Sequence, residues 1–444
     1  MISKQIASVT RYCAVAWLVS LSAARVALSQ NPTDAATVAT PRLSLAEIFE
    51  IARTRSPKMK GAAALAAASR SRVASARRPP DPELQLGFMN RSLPSLAPMD
   101  PLGMTQIQLM QMVPTPGKLG LAGRIASETA SAAEARSVES RWEVRAEGAM
   151  AFYDLYTITR QLEIATQTKT LVGDIAKVAQ VMYSAGEGRQ ADVLRAQLEV
   201  AKMSAEIIRM QAMREAMAGR LLGILDLPQE SKLGIPQLPD FPDDLPSLGE
   251  LTSQAENERP MITAGQREIS AAVAGERLAR KEIWPDLQVG VQYGWQKGPM
   301  GSDRMGSLML GATVPIYARS RQLKLREEAA AMRSMAEADV ATMRASTRAR
   351  MTELFAEFTR ARNLTNLYRT TVLPQSEGAV AASFSAYRAG TVNLMTVLDN
   401  QMILNTYRQE LIALEASRGK AIAEIEMLLG RELFNPAEVT RSIR

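Results

Sequence analysis

The hydrophobic positions of this chain change period several times. From Leu287 to Trp295 they alternate. Leu287, Val289, Val291, Tyr293 and Trp295 fall on one side, and Gln288, Gly290, Gln292 and Gly294 on the other. A period of two is that of a β-strand, whose successive side chains point to opposite faces. Leu308, Leu310, Ala312 and Val314 oppose Ser307, Met309, Gly311 and Thr313 in the same way. Earlier in the chain, Leu84, Leu86 and Phe88 oppose Gln85 and Gly87, while Ile107 and Leu109 oppose Gln106, Gln108 and Met110. The pattern predicts strands over about 84–91, 105–113, 286–296 and 306–314. Each is about nine or ten residues, the length of a tilted strand across a bilayer. Apolar-out, polar-in alternation with aromatics near the ends marks a membrane barrel. A half-buried soluble sheet alternates identically.

Elsewhere the period lengthens. No proline interrupts the stretch from Lys118 to Ser184, and spacings of seven recur within it. Trp142, Ala149 and Tyr156 form one series, Ala146 and Tyr153 another. Ile158, Ala165, Val172 and Ala179 form a third, and Ile164, Leu171 and Val178 a fourth. In the second half, Leu354, Ala361 and Tyr368 run beside Phe358, Thr365 and Val372. Seven is the spacing of coiled-coil packing, and overlapping Ala-rich seams imply neighbours on more than one side. At about 1.5 Å per residue, 118–184 makes a helix roughly 100 Å long, too long for a compact domain. Pro374 lies inside the second long stretch and is expected to kink it.

These elements occur twice in the same order. "SLAEIFEIARTRSP" from Ser44 matches "SLGELTSQAENERP" from Ser247, and "PELQLGF" from Pro82 matches "PDLQVGV" from Pro285. Val113-Pro114 matches Val314-Pro315, "YSAGEGRQADVLRAQ" from Tyr183 matches "YRAGTVNLMTVLDNQ" from Tyr387, and Leu222-Gly223 matches Leu429-Gly430. Each half reads as a helix of about thirty residues, two strands, a very long helix, a tight turn and a returning helix. The halves are placed at 43–226 and 247–434. A Pro-rich and acidic linker at 227–246 separates them, and a tail follows at 435–444. The hairpin tips fall at about 183–191 and 387–395.

Four strands cannot enclose a lumen, since a closed barrel needs about eight merely to pack its interior. An open edge is not tolerated in lipid, where unpaired backbone groups find no water. Strands in a membrane would therefore have to be shared between chains, and Gly and Gln facing inward suit an aqueous pore of twelve strands from three copies.

The N-terminus follows neither period. Lys4 and Arg11 accompany an apolar stretch from Tyr12 to Ala24, and Ala27-Leu28-Ser29 puts small residues at a cleavage site. This is the make-up of a secretory signal, expected over 1–29, with an N-terminal segment over 30–42. A Gram-negative periplasm or outer membrane is the implied destination. Cys13, the single cysteine, lies within the apolar stretch and follows Thr10-Arg11-Tyr12, not a lipoprotein box. The mature chain is expected to carry no thiol and no lipidated cysteine. Beyond the N-terminus no apolar run reaches the roughly 20 residues of a transmembrane helix.

The 444 residues contain no histidine. This removes the usual neutral-pH acid/base, the Ser-His-Asp triad and the commonest metal ligand. Paired carboxylates can catalyse without it, but the chain is read as no enzyme, with no cofactor and no metal site. The formal charge of +7 is spread along helical segments and not gathered among aromatics, so nucleic acid is not the expected partner. Methionine is frequent at 24, with Met89, Met110, Met112 and Met309 near strands. Thioethers suit Cu(I), and Met equally replaces Leu in packing; packing is the reading adopted from sequence.

With these residues in view, the chain resembles the TolC-type outer-membrane efflux family from about Leu43 to Phe434. The paired tip phrases are the most specific resemblance. "VPTPGKLGLAGRIA" from Val113 resembles the strand-to-helix junction of the heavy-metal (Cus- and Czc-type) branch. The resemblance implies a mainly α chain with a transmembrane β part. It implies a homotrimer with a twelve-stranded barrel in outer-membrane lipid and a long periplasmic α-helical barrel. It also implies docking to a periplasmic adaptor and an inner-membrane pump of the RND type, so that the trimer is the passive exit duct of a tripartite efflux system. An outer-membrane component of type I protein secretion and a periplasmic coiled-coil adaptor are the alternatives.

At the tips, Gly186 and Gly390 occupy turns where positive φ is useful, and Gly188 adds freedom to the first. Val193-Leu194 and Val397-Leu398 restart an apolar seam, and these tips are the surface expected to meet an adaptor. Asp399 lies close inside the second tip. Three copies around an axis would concentrate negative potential, as acidic rings do in other pores. The resemblance implies a constriction of two acidic positions here, and Asp399 matches the second. Thr396 stands at the first, and Val392 stands where a latching arginine is found in well-known members. Tyr387 matches a tyrosine that helps to hold such apertures shut. The first-repeat copy reverses the charges, with Asp192 opposite Thr396 and Arg195 opposite Asp399.

Overall fold

The computed structural model describes residues 42–92, 94–95, 103–298 and 301–433. The expected signal over 1–29, Cys13 and the tail over 435–444 lie outside the described residues.

The first half opens with β1 (Arg42–Leu43), α1 (Leu45–Arg55) and α2 (Pro57–Ala76), followed by β2 (Glu83–Met89) and β3 (Met104–Val113). Then come α3 (Lys118–Ser184) and the returning α4 (Gln190–Ile224). β4 (Ile235–Pro236) lies in the linker. The second half repeats the order with α5 (Leu248–Glu258), α6 (Pro260–Lys281), β5 (Leu287–Gly298), β6 (Gly301–Ala312), α7 (Gln322–Leu367), α8 (Leu373–Arg388) and α9 (Leu394–Leu429).

The opening helix of each half is two helices and not one of about thirty residues. Ser56 and Arg259 precede prolines and take ψ of 119° and 124°. The proline ring disfavours helical backbone in the residue before it, so the helix stops and restarts with proline in its first turn. The repeated phrase that contains these prolines also encodes the starts. The side chains of Ser44 and Ser247 accept from the backbone of Glu47 and Glu250, whose carboxylates bond back to the serine backbone. Each is a capping box that satisfies two otherwise orphaned donors.

Pro374 does not break the second long helix. A single π-turn over Tyr368–Val372 precedes it, and the Leu373 N–H bonds the Tyr368 carbonyl five residues back. The extra residue in the turn relieves the ladder where proline has no N–H to give, and the chain runs on as α8. The helical run from Gln322 to Arg388 is thus as long as α3.

Heptad positions supply the helix packing. Ile158, Ala165, Val172 and Ala179 are all buried, as are Ala149 with Tyr156 and Ala146 with Tyr153. In the parallel series Ile164 and Val178 are half-buried and Leu171 is exposed. The largest core gathers Ile48, Phe152, Tyr153, Leu221 and Leu225, and linker residues Leu233, Leu238 and Phe241 pack on it. The linker is therefore part of the structure. β4 pairs in parallel with β1, a contact that two-residue strands leave no periodic trace of in the sequence.

The four remaining strands form one antiparallel sheet in the order β2-β3-β5-β6, two from each half. β6 starts at Gly301, earlier than its alternation suggests. Ser302, Asp303 and Arg304 carry no apolar pattern and are held by the ladder to Lys297, Gln296 and Trp295 of β5.

Candidate functional site

The register aligns the apolar sides of all four strands. Leu86 opposes Ile107, Ile107 opposes Tyr293, Leu109 opposes Val291, and Val291 opposes Leu308. This face is open to its surroundings: Leu84 is 70% exposed and Leu310 76%. The other face carries Gln85, Gln106, Gln108, Gln288 and Gln292 with Gly87, Gly290, Gly294 and Gly311. Its side chains lie over one another; Gln292 donates to Gln106, and Gly290 and Gly294 are buried. A sheet that leaves its apolar side bare is inverted relative to a soluble protein, which would pack that side on a core.

A laced junction joins the sheet to the helices. Gly117, at φ 90°, turns the chain from β3 into α3. Just before it, the Thr115 N–H donates to Asp286 Oδ1 at 2.8 Å and its hydroxyl to the Pro285 carbonyl at 2.7 Å. Buried Lys118 donates to Asp286 at 2.9 Å, to the Trp284 carbonyl at 3.1 Å and to Glu282 at 3.4 Å. Burial alone would raise the Asp286 carboxyl, but the donors from Thr115 and Lys118 outweigh it and hold the group below its ordinary value. The strand-to-helix turn of one half is thereby tied to the helix-to-strand turn of the other. Lys118 and Asp286 are far apart in sequence, so their pairing has no signal in a single chain.

At the far end of the long helices, the two tips are built differently. In the first, Gly186 has φ 80°, and Met182 O accepts from Glu187 and Gly188 at 2.9 Å each. Gly188 needs no positive φ; a Cβ there would fall 2.8 Å from the Tyr183 nitrogen, so close approach is what requires glycine. In the second, Gly390 has φ 74°, and the Ala386 carbonyl accepts from the Thr391 N–H at 3.0 Å and its hydroxyl at 2.9 Å. Asn393 then caps α9 by accepting from the N–H and hydroxyl of Thr396 at 3.0 and 2.9 Å. Thr396, which stands where an acid was expected, is occupied in this cap.

The tips share one apolar cluster. Val193 and Ala196 of α4 meet Tyr387, Leu394, Val397 and Leu398, with Val392 packed beside them. Leu194 and Leu398, matched in the two tip phrases, differ in burial. Leu398 is 3% exposed and Leu194 59%. The α4 backbone presents Val193, Ala196, Val200, Met203 and Met210 to the core, and Leu194 begins a second stripe on the far side with Leu198, Ala201, Ala205 and Ile208, all exposed. Tyr387 is 4% exposed, and its hydroxyl has no partner among the described residues. Burial first, then the charge of Asp192, push its phenol above the ordinary value. The charge of Asp192, from the first half, thus reaches the Tyr387 phenol of the second. Asp399 and Arg195 both face outward, and among the described residues neither they nor Asp192 forms an ion pair within the chain.

Comparison with known proteins bears on the family and the fold. The family model described as "Outer membrane efflux protein" matches residues 48–225 and 251–431. The cobalt-zinc-cadmium resistance protein CzcC of Cupriavidus metallidurans is 23% identical over 71% of this chain and 74% of its own length. Among solved structures, the outer membrane protein VceC of Vibrio cholerae superposes with a TM-score of 0.74 at 18% identity, over 88% of this chain and 97% of that one. CusC superposes at 0.72 and 15% identity, over 87% and 92%. The chain belongs to the outer membrane efflux protein family. It is an outer-membrane efflux channel with a periplasmic part, a passive conduit and not an enzyme. Proteins of this family form trimers and work with an adaptor and an inner-membrane pump.

Proposed function

We propose that three copies of this chain close into one duct, with β2 of each copy pairing to β6 of the next to give twelve strands in outer-membrane lipid. The observation that carries this reading is the sheet itself: four strands, an exposed apolar face, and edges at β2 and β6 without partners among the described residues. In lipid such edges must be paired, and four strands cannot surround water. The open seam of α4 and exposed Leu171 supply the matching helix surfaces for neighbouring copies. The long helices continue the barrel through the periplasm, and the exposed tips at Gly186, Leu194 and Gly390 meet the adaptor of an RND-type pump, while buried Val193, Val397 and Leu398 brace them from within. The likeness to CzcC supports placing the chain in the heavy-metal branch.

Within this duct Asp399 forms the periplasmic constriction, with Tyr387, Asp192 and Arg195 around it. Its support is an exposed carboxylate without an ion-pair partner among the described residues, in the second turn of α9. Asp399→Ala should raise single-channel conductance in planar bilayers and weaken block by multivalent cations. Unchanged conductance and block remove Asp399 from the constriction.

A further inference from the structure

The methionines of the four strands are Met89, Met104, Met110, Met112, Met305 and Met309, and the register puts every one on the Gln/Gly face. The opposite face holds the Leu, Ile, Val and aromatic side chains, with Thr105, Gln111, Arg304 and Gly306 among them, and no methionine. Methionine that merely substituted for leucine would populate the lipid side, where an apolar side chain is wanted. Its segregation to the polar side points to the sulfur.

The glycines of β5 organise these thioethers. Gly290 is flanked by Met110 on one side and Met309 on the other. From the place where a Gly290 Cβ would stand, Met110 Cγ is 3.2 Å away and Met309 Cβ 3.6 Å. Gly294 is paired with Met305 of β6 and with Gln106 of β3, and Met104, two residues from Gln106 and opposite Gln296, reaches over it diagonally. There Met104 Sδ lies 3.3 Å from the Cβ position, and Met89 pairs with Met104 across β2 and β3. Gly290 removes the side chain that would separate its two flanking methionines, and Gly294 leaves the space into which the Met104 thioether extends. Four residues along a strand set the two clusters about 13 Å apart.

We propose that this face carries two thioether sites for a soft monovalent cation of the Cu(I)/Ag(I) class: Met110 with Met309 over Gly290, and Met104 with Met305 over Gly294, Met89 beside them. Thioethers are neutral and soft, so they favour such cations over harder divalent ones. The chain has no histidine, and among the described residues no His/Cys/Asp/Glu cluster could hold a metal, so competing ligand sets are few. Sites of two or three thioethers bind weakly enough to release, as a conducting path requires. The placement of this face toward a lumen rests on the duct reading above.

The test is Ag(I) binding to the purified full chain in detergent and chloride-free nitrate buffer, by equilibrium dialysis with X-ray absorption at the silver edge. Wild type should bind Ag(I) saturably with sulfur neighbours. M110L/M309L and M104L/M305L should each remove a distinct part of this binding, and the quadruple variant should lose at least tenfold in affinity. M335L, an exposed methionine of α7, should change nothing. Met→Leu conserves volume, and unchanged native mass confirms that the variants assemble. A quadruple variant that binds like wild type, a wild type without saturable binding, or an equal loss in M335L overturns the proposal. Bilayer conductance of the same samples reads the duct separately: binding without conductance leaves the thioether sites standing and sinks the duct.

Discussion

Glu139 offers the sharpest test of what holds the helices beneath the sheet. It lies on α3, is 1% exposed, and faces the break between α5 and α6. Its Oε1 accepts from Arg259 Nε at 2.9 Å and Nη2 at 2.7 Å, and its Oε2 from the Met261 N–H at 3.1 Å. Arg259 Nη1 goes on to Thr347 Oγ1 of α7 at 2.9 Å. One carboxylate thus caps α6, pairs the residue before Pro260, and through it reaches α7. Glu139→Ala strands a mostly buried guanidinium and an orphaned N–H. Removing one partner of a buried pair costs about 3–5 kcal/mol, and the partial exposure of Arg259 argues for the lower end, about 3 kcal/mol. At 1.4 kcal/mol per decade, opening of α6 should become roughly a hundredfold more frequent. Hydrogen exchange of the α6 amides Ala264–Arg267 reads this directly, with Leu394–Asp399 as an internal control that should not move. Adding Arg259→Leu should recover part of the loss, because the stranded charge goes with it. Exchange within about threefold of wild type, or a double variant as poor as the sum of its parts, would refute the clamp.

Other expectations follow from single positions. Tyr387→Phe should leave stability at pH 7 within about 0.5 kcal/mol, since the hydroxyl it removes has no partner to lose. The raised phenol keeps its proton in the fold, so its contribution is complete below the unfolded value near 10 and drains away as pH climbs through the higher folded value. Protease cleavage at the tips between pH 9 and 12 should therefore rise later in the Phe variant; identical curves would clear Tyr387 of this role. Leu310→Arg places a charge on the bare apolar face at about 2–4 kcal/mol near the bilayer midplane and should deplete the outer-membrane fraction, whereas Ser307→Arg on the opposite face should assemble. Gly390→Ala forces a side chain into φ 74° at about 1–2 kcal/mol and should make the second tip protease-sensitive. Gly61→Ala, in open space on α2, should instead stabilise by about 0.5–1 kcal/mol.

Much of this could be read along the chain because the signals are local. Alternation in Leu287–Trp295 needs only side-chain geometry to name a strand and its two faces, and Ser44 with Glu47 needs only the spacing of one helical turn to name a start. Positive φ at Gly186 and Gly390 follows from the turn each must make. Overlapping heptads announced packed helices, but not which stripe stays open: Val193 and Leu194 are adjacent and equally apolar, and only the neighbour that α3 presents decides that one is buried and the other bare. The helix break at Pro57 was within reach of the proline rule, whereas the π-turn before Pro374 is one of several ways a helix can absorb the same residue.

Periodicity, duplication and the absence of histidine determined the class of protein: paired strands, long helices and no catalytic imidazole, all properties of residues near one another in sequence. Tertiary structure decided which distant residues meet. It tied Lys118 to Asp286, put Tyr387 within reach of the Asp192 charge, locked Arg259 onto Glu139, and brought the strand methionines onto one face around Gly290 and Gly294. The physical reason is that hydrogen bonds, buried charges and thioether neighbours act over a few ångströms of space. A linear pattern carries the period of a chain, but not the register in which its halves come together.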